Sequence, residues 1–329
     1  MAYQNVGTPR FYVNVIEWLA SNFAINTPSW AAAGLFNTLP VTQETINLTL
    51  TNGYFDNNID IHHNGFVAFL GHTNLNEIQI YSVSNIIATN MNEVVNCGAD
   101  VFITLTTQIS GFTIVELKNS EATIRGFYFT EPTNVGSLVV GNYYDMPHSP
   151  DLSLTMTREM DGVKRIRTKG GSDLVKHQYI KPAMWGNLGA WELKIQSAPY
   201  PYSDELSHSG RRIWDLSFSY LQDKDVFPEV STLSTHESRA YAHSDFEWYS
   251  DIGSNTEEFG LLRDNGFGNI NFYAEVIHKT NGGQLPFIFQ PNKDDNTQFA
   301  ICKFDMDSFQ FEQVANGVYN VKLKIREVW

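Results

Sequence analysis

The chain has 329 residues, 42% of them hydrophobic and 13% aromatic, with 22 Phe and 15 Tyr, and a formal net charge of −14. That length suits two domains or one large β domain with insertions, and the wealth of aromatic residues favours strands and interfaces. The negative balance argues against a duplex-DNA binder, which needs a Lys/Arg-rich surface to neutralise phosphate; a solvated acidic surface is its plainest meaning.

Residues 1–10 lack the basic start and apolar core of a secretion signal. No uninterrupted apolar stretch is long enough to span a bilayer, so a soluble product folding in a reducing compartment is expected, with no membrane insertion. Residues 1–40 read as an N-terminal arm, in which Phe11-Tyr-Val-Asn-Val-Ile suits a strand and Glu17-Trp-Leu-Ala-Ser-Asn the start of a short helix. From 41 to 141, short apolar runs alternate with Asn- and Gly-rich turns: Ile46–Leu50, Gly65–Leu70, Ile78–Val83, Val101–Thr106, Phe112–Leu117, Ile124–Phe129 and Leu138–Val140. Strands punctuated in this way predict an all-β sandwich, and the lack of a fixed period counts against a solenoid.

The remainder, 142–329, reads as a second β unit. Leu152, Leu154 and Met156 alternate, Val163–Thr168 turns at Gly170-Gly171, and Arg211–Leu221 places Trp214, Leu216, Phe218 and Tyr220 on one face with Asp215, Ser217 and Ser219 on the other. From about 222 to 268 the sequence is acidic, polar and without clean periodicity, and is expected to be a long insertion. A helical segment fits Phe272–Lys279. Beyond it, Leu285–Pro291, Phe299–Phe304 and Val318–Trp329 are expected to be strands with one wet face; in the last, Tyr319, Val321, Leu323 and Ile325 oppose Lys322, Lys324 and Arg326. The preceding hairpin turns at Asn316-Gly317. Keeping each face uniform pairs Phe311 with Val321, Phe309 with Leu323, Glu312 with Asn320 and Gln310 with Lys322, which requires a three-residue loop, Ala315-Asn316-Gly317. The fold class is therefore mainly β: an antiparallel sandwich or barrel core with an inserted sandwich and few short helices.

Few residues suggest chemistry. Asp145, His148, Ser149 and Asp151 gather in one segment, but its two prolines suit a rigid turn, and Gly-x-Ser-x-Gly is absent. Adjacent His62 and His63 would point to opposite strand faces, and His72 ends an apolar run as a structural residue would. Glu257-Glu258 and Asp294-Asp295 lie in polar sequence; a glycosidase needs two carboxylates at a defined separation, which sequence does not supply. Cys97 and Cys302 have no metal-like spacing, and Cys302 shares a face with Phe304 and Met306, as a small buried hydrophobe would. No catalytic, cofactor-binding or metal-ligating residue is assigned, and no cofactor is required. The stronger candidates are contact residues. Tyr54 and Phe55 sit in an Asn-rich turn, Trp185 and Trp191 among glycines, and Phe246, Trp248 and Tyr249 in the polar insertion; rings exposed there would mark interfaces, and the alternative is that these loops fold back and bury their own rings. Arg211 and Arg212, with Arg165 and Arg167, stand out in an acidic chain; they are either a solvated strand face or partners for acidic patches on neighbouring subunits. Trp329, at the end of a regular strand, is expected to pack within the subunit or against a neighbour.

The Gly210–Leu221 strand, taken with Gly282-Gly-Gln-Leu-Pro-Phe-Ile-Phe-Gln-Pro, Phe299-Ala-Ile-Cys-Lys-Phe and Val321-Lys-Leu-Lys-Ile-Arg-Glu-Val-Trp, resembles the distal-tail and minor-tail proteins at the tail tip of long-tailed bacteriophages. The resemblance covers Asp151–Tyr220 and Asn281–Trp329 best and includes no catalytic motif. It implies a structural virion protein, assembled in the host cytoplasm into a ring, with six the number the family suggests, and contacting the tail tube, hub and fibres. Phe66–Asn74, Ile78–Tyr81, Gly111–Glu116, Ile124–Phe129 and Val135–Leu138 are similar to discoidin-type sandwiches, which implies contact with host surface carbohydrate. A free carbohydrate-binding adhesin or receptor-binding module, and a glycan-degrading enzyme, are the alternative classes.

Overall fold

The computed structural model describes residues 6–22, 36, 38, 46–48, 53–61, 64–72, 77–82, 86–90, 95–96, 111–117, 122–129, 133–135, 137–159, 163–177, 184–185, 188–189, 211–227, 270–295 and 298–328. The strands of the first half are β1 (Arg10–Asn14), β2 (Ile46–Leu48), β3 (Gly53–Ile61), β4 (Gly65–His72), β5 (Glu77–Ser82), β6 (Ile86–Asn90), β7 (Val95–Asn96), β8 (Gly111–Leu117), β9 (Ala122–Phe129), β10 (Thr133–Val135) and β11 (Ser137–Asp145). They continue as β12 (Thr155–Glu159), β13 (Val163–Arg167), β14 (Asp173–His177), β15 (Met184–Trp185), β16 (Leu188–Gly189), β17 (Arg211–Gln222), β18 (Phe287–Gln290), β19 (Ala300–Phe304), β20 (Phe311–Ala315) and β21 (Val318–Glu327). Helix among the described residues is limited to α1 (Val15–Asn22), one turn at Asp223–Val226 and a π-helix at Tyr273–His278, where a helical segment was expected. None of these is long and apolar enough to cross a membrane. The protein is mainly β, as its sequence predicts.

Eleven strands form one antiparallel sheet in the order β12-β17-β21-β19-β18-β1-β11-β4-β8-β7, with β20 beside β21. A four-stranded sheet follows the order β3-β9-β5-β6, and β2 with β10, β13 with β14 and β15 with β16 form ribbons. The expected N-terminal arm is corrected here: β1 lies in the interior of the large sheet, paired to β11 through Phe11↔Tyr144 and to β18 through Phe11↔Phe289. Phe11, Tyr12 and Val13 are all apolar and buried. A strand with two apolar faces needs a packed layer on each side of the sheet, and Phe11 and Val13 lie in one such cluster and Tyr12 in the other. The boundary expected at 141/142 falls inside β11, which pairs with β4 as well as β1, so the two regions share one sheet.

Strand parity divides the core. Phe11, Val13, Phe287, Phe289, Cys302 and Phe304 face one cluster, joined by Trp214, Leu216, Phe218, Val321, Leu323 and Ile325. Tyr12, Ile288, Phe299 and Ile301 face a second cluster with Phe66, Val139 and Tyr143. β18 and β19 are thus buried on both faces, where half-wet strands were expected. The alternation expected of β17 and β21 is present, with one correction. A bulge between Phe218 and Leu221 turns Tyr220 outward, 77% exposed and with φ of +63°, while Leu221 takes the core position. The alternating strand expected from Leu152 begins only at Thr155, and Leu152 itself is exposed in a turn.

At the β20–β21 hairpin the expected pairs Phe311↔Val321 and Glu312↔Asn320 are present. The turn differs: Ala315 pairs with Val318, so the loop is Asn316-Gly317 alone, and a bulge between Gln313 and Ala315 absorbs the residue that parity demands. Gly317 takes the left-handed position, φ +67°. Phe309 precedes β20 and packs on Phe304, with ring centroids 5.1 Å apart, rather than pairing with Leu323.

Asn14 ends β1 and starts α1, its Oδ1 accepting from the Glu17 backbone N–H at 3.2 Å. Opposite Asn14 in the ladder is Gly141, where an added Cβ would lie 1.8 Å from the Val13 carbonyl oxygen. Gly141→Ala should therefore force β1 and β11 apart and cost about 3 kcal/mol, the upper end for overpacking, read as a lowered urea midpoint. Trp18 of α1 meets His278 of the π-helix at 5.6 Å between ring centroids. Burial, and then the neighbouring Lys279, hold the His278 pKa below its usual 6.5. The folded protein thus binds this proton less readily than the unfolded chain. Stability should be complete above pH 6.5 and fall as the pH drops below it, a slope that His278→Gln should flatten in melts between pH 7.5 and 5.5.

Candidate functional site

β17 positions the basic pair singled out in the sequence, and the structure separates its two members. Arg212 shares the parity of Trp214, Leu216 and Phe218, which is the buried face. Glu327 continues the buried series Val321, Leu323, Ile325 on β21 and meets it there. Arg212 Nη2 donates to Glu327 Oε1 at 2.8 Å, Nε to Oε2 at 3.1 Å, and the Arg212 backbone N–H to Oε2 at 2.9 Å. Nη2 also donates to the Phe299 carbonyl at 2.8 Å, and the guanidinium lies 5.2 Å from the Trp214 ring centroid. Burial alone would weaken its hold on a proton, but the charge and hydrogen bonds of Glu327 outweigh that and keep it charged. Arg212 is therefore an internal clamp between β17 and β21, and its reading as a contact residue for a neighbour is corrected. Arg211, of opposite parity, is half-buried opposite Glu159 in the β12 ladder.

A second clamp crosses the sheet interior. Arg10 Nη2 donates to Asp145 Oδ2 at 2.8 Å, and Arg10 Nη1 pairs with Glu116. The Tyr12 hydroxyl donates to Glu116 at 2.9 Å, and the Arg10 guanidinium sits 4.2 Å from the Tyr143 ring centroid. Burial, then the nearby Glu116 charge, push the Tyr143 hydroxyl up to about 12. Asp145 is thus engaged with Arg10. His148 Nδ1 meets the Ser149 carbonyl at 2.7 Å, and Asp151 Oδ2 accepts from Ser217 and Ser219 at 3.0 and 2.7 Å. The segment does not bring Asp145, His148 and Asp151 together; it is the turn between β11 and β12. Cys302 is fully buried, and burial, then Glu327, raise its thiol pKa. Among the described residues no group of three or more His, Cys, Asp or Glu is arranged to hold a metal ion.

The aromatic candidates fare differently. Tyr54 and Phe55 lie in strand β3, not in the expected turn, with Tyr54 opposite Gly126 and an irregularity before Ile59. Phe246, Trp248, Tyr249 and Trp329 lie outside the described residues, as do Trp191, Cys97, His62 and His63, and the 222–268 insertion beyond Phe227. The neighbour of Trp329 is placed: the Val328 N–H donates to the Ile301 carbonyl at 2.9 Å, extending the ladder past β21.

What sequence reasoning missed is an exposed apolar set. Ile166 is 51% exposed, Leu174 60% and Val175 45%, all on the β13–β14 ribbon, and Tyr220 adds an outward ring at the bulge of β17. Isolated exposed apolar residues are ordinary; Ile166 and Leu174 differ in lying directly opposite each other across the ribbon. The alternation of Arg165 and Arg167 with Ile166 was the available signal. Among the described residues, the buried pairs Arg212–Glu327 and Arg10–Glu116 hold strands together, and the exposed apolar residues lie on the β13–β14 ribbon and at the β17 bulge. Comparison of the chain with protein-family models, with curated proteins and with solved structures gave no match.

The Arg212–Glu327 clamp makes a measurable claim. Removing one partner of a buried pair leaves the other charge uncompensated, at about 3–5 kcal/mol. Glu327→Leu should lower stability by that amount in urea unfolding. Arg212→Met combined with Glu327→Leu should recover part of the loss; an additive double mutant would show the two side chains to be uncoupled.

Proposed function

We propose that this chain is a structural subunit of a phage tail tip, a distal- or minor-tail component that closes into a ring, possesses no covalent chemistry of its own and resides in the virion after assembly in the host cytoplasm. The observation that supports this reading best is the arrangement of β17 and β21. These are the longest strands of the large sheet, at 12 and 10 residues, and they contain the sequence that resembles tail-tip proteins. Both place one face on the core, and β17 leads directly to the sheet's edge at β12. Among the described residues β12 has a ladder partner on one side only, so its outer backbone row is open to a strand from another subunit. A ring built this way needs rigid registers, and the Arg212 and Arg10 clamps supply them. The four-stranded sheet containing Tyr54 and Phe55 is the part assigned to neighbouring tail proteins (tube, hub or fibres) or to host carbohydrate.

The oligomeric state tests this. Mass photometry and negative-stain imaging of the purified full chain should show a closed oligomer, six being the number the resemblance implies. A monomer that persists from nanomolar to high micromolar concentration would sink the proposal.

A further inference from the structure

The β13–β14 ribbon has the least support from its own subunit. Every described side chain from Lys164 to Lys176 is exposed except Thr168, which is half-buried. A lone two-stranded ribbon is marginally stable in water, and this one has features that make it worse. The apolar pair Ile166↔Leu174 stands in solvent, and next to it on the same face Lys164 lies directly opposite Lys176. Like charges in that position repel. Both defects become assets against a surface that is apolar and acidic.

Charge narrows the choice of partner. The ribbon and its turn hold five cations (Lys164, Arg165, Arg167, Lys169, Lys176) against the single carboxylate Asp173, a net of +4, so the rest of this −14 chain carries −18. Asp173 is shared by Arg165 and Arg167, which leaves Lys164, Lys169 and Lys176 without a carboxylate partner among the described residues. The remainder of the chain itself carries the complementary charge.

A matching surface lies at the far end of β17. Tyr220, in its left-handed conformation, projects there, its N–H donating to Asn320 Oδ1 at 3.1 Å. Asn320 is opposite Glu312, and the Asp223 N–H donates to the Gly317 carbonyl at 2.9 Å, so this end of the sheet holds the carboxylates Asp223, Asp225 and Glu312 against the two cations Lys224 and Lys322, with Val314, 43% exposed, on the same hairpin. Glu159, four residues before the ribbon, pairs with Arg211, nine residues along β17 from Tyr220, roughly 30 Å away at strand rise. Ribbon and Tyr220 patch both remain exposed in the single chain.

We propose that the β13–β14 ribbon docks on the Tyr220 end of β17 in a second copy of this chain. Contact between two different patches is heterologous, and it closes a ring when the rotation between copies allows. The inference rests on the ring reading above and names a second pair of surfaces, besides the β12 edge, that meet in the ring.

The test uses the full chain in mass photometry and sedimentation velocity. Ile166→Asp with Leu174→Asp, and separately Tyr220→Gly, which tolerates the same φ, should each convert the oligomer to monomer with an unchanged far-ultraviolet circular dichroism spectrum. Lys164→Glu with Lys176→Glu should do the same, and adding Asp223→Lys with Glu312→Lys to that chain should restore the oligomer. An oligomer that survives all of these variants overturns the docking proposal while leaving the ring reading intact. A native chain that is monomeric, including one whose ribbon binds a labelled oligonucleotide instead, overturns both.

Discussion

The Phe11 ring lies within 5.4–6.0 Å, centroid to centroid, of the rings of Phe272, Phe287, Phe289 and Phe304. Such pairs contribute about 0.5–1.5 kcal/mol each beyond the area they bury, and here they share one residue. One position further on, Tyr12 crosses to the other face and meets Phe66 and Tyr143. A five-residue strand thus ties the two clusters together, as β18, β19 and β11 also do, and it is the strand that joins β18 to β11 in the sheet. β1 brings residues from the start of the chain between segments that are distant in sequence, so the large sheet closes only when long loops have been ordered. That makes the fold slow to nucleate and cooperative once formed.

Electrostatics plays a supporting part in an acidic protein. The two buried clamps do not obviously add net stability, since desolvation of both charges offsets most of their attraction. What they add is register. A slip of β17 against β21 by one residue would send Arg212 to the wet face, bring Ile213 inward and leave Glu327 buried without its partner. The wet face has its own pairs, Arg326 with Glu159 and Lys324 with Asp305. Each charge on these strands therefore argues for the same alignment. A surface presented to other subunits gains from that rigidity, because less freedom is lost on association.

Much of this was legible in local sequence, and the failures have physical causes. The β21 face, the β17 face as far as Phe218 and the Phe311↔Val321 and Glu312↔Asn320 pairs follow from period-two alternation, while the hairpin loop and the pairs expected for Phe309 and Gln310 do not. The same alternation extends to Arg212 and Glu327, but Arg212 reads as solvated or partner-facing from sequence, because a charged residue in an apolar series looks like an exception until its partner strand is known. Tyr220 was misplaced because a bulge adds a residue and reverses parity beyond it, and no residue type announces a bulge at Ser219-Tyr220. β1 looked like an arm because periodicity describes a strand's two faces and says nothing about which strands lie beside it. The exposed Ile166↔Leu174 pair was hidden for the opposite reason: its alternation is that of an ordinary half-buried strand, and only the absence of a covering layer in the single chain distinguishes it.

Strand β11 has a consequence for how such a gene can change. The residues that resemble a separable sandwich, 41–141, contribute β4, β8 and β7 to the same sheet that β1, β18 and β21 occupy, and β11 joins the halves by pairing to both sides. The region is therefore no cassette. A recombination event that replaced it with a foreign module would strip β11 of one neighbour and uncover Val139 and Tyr143.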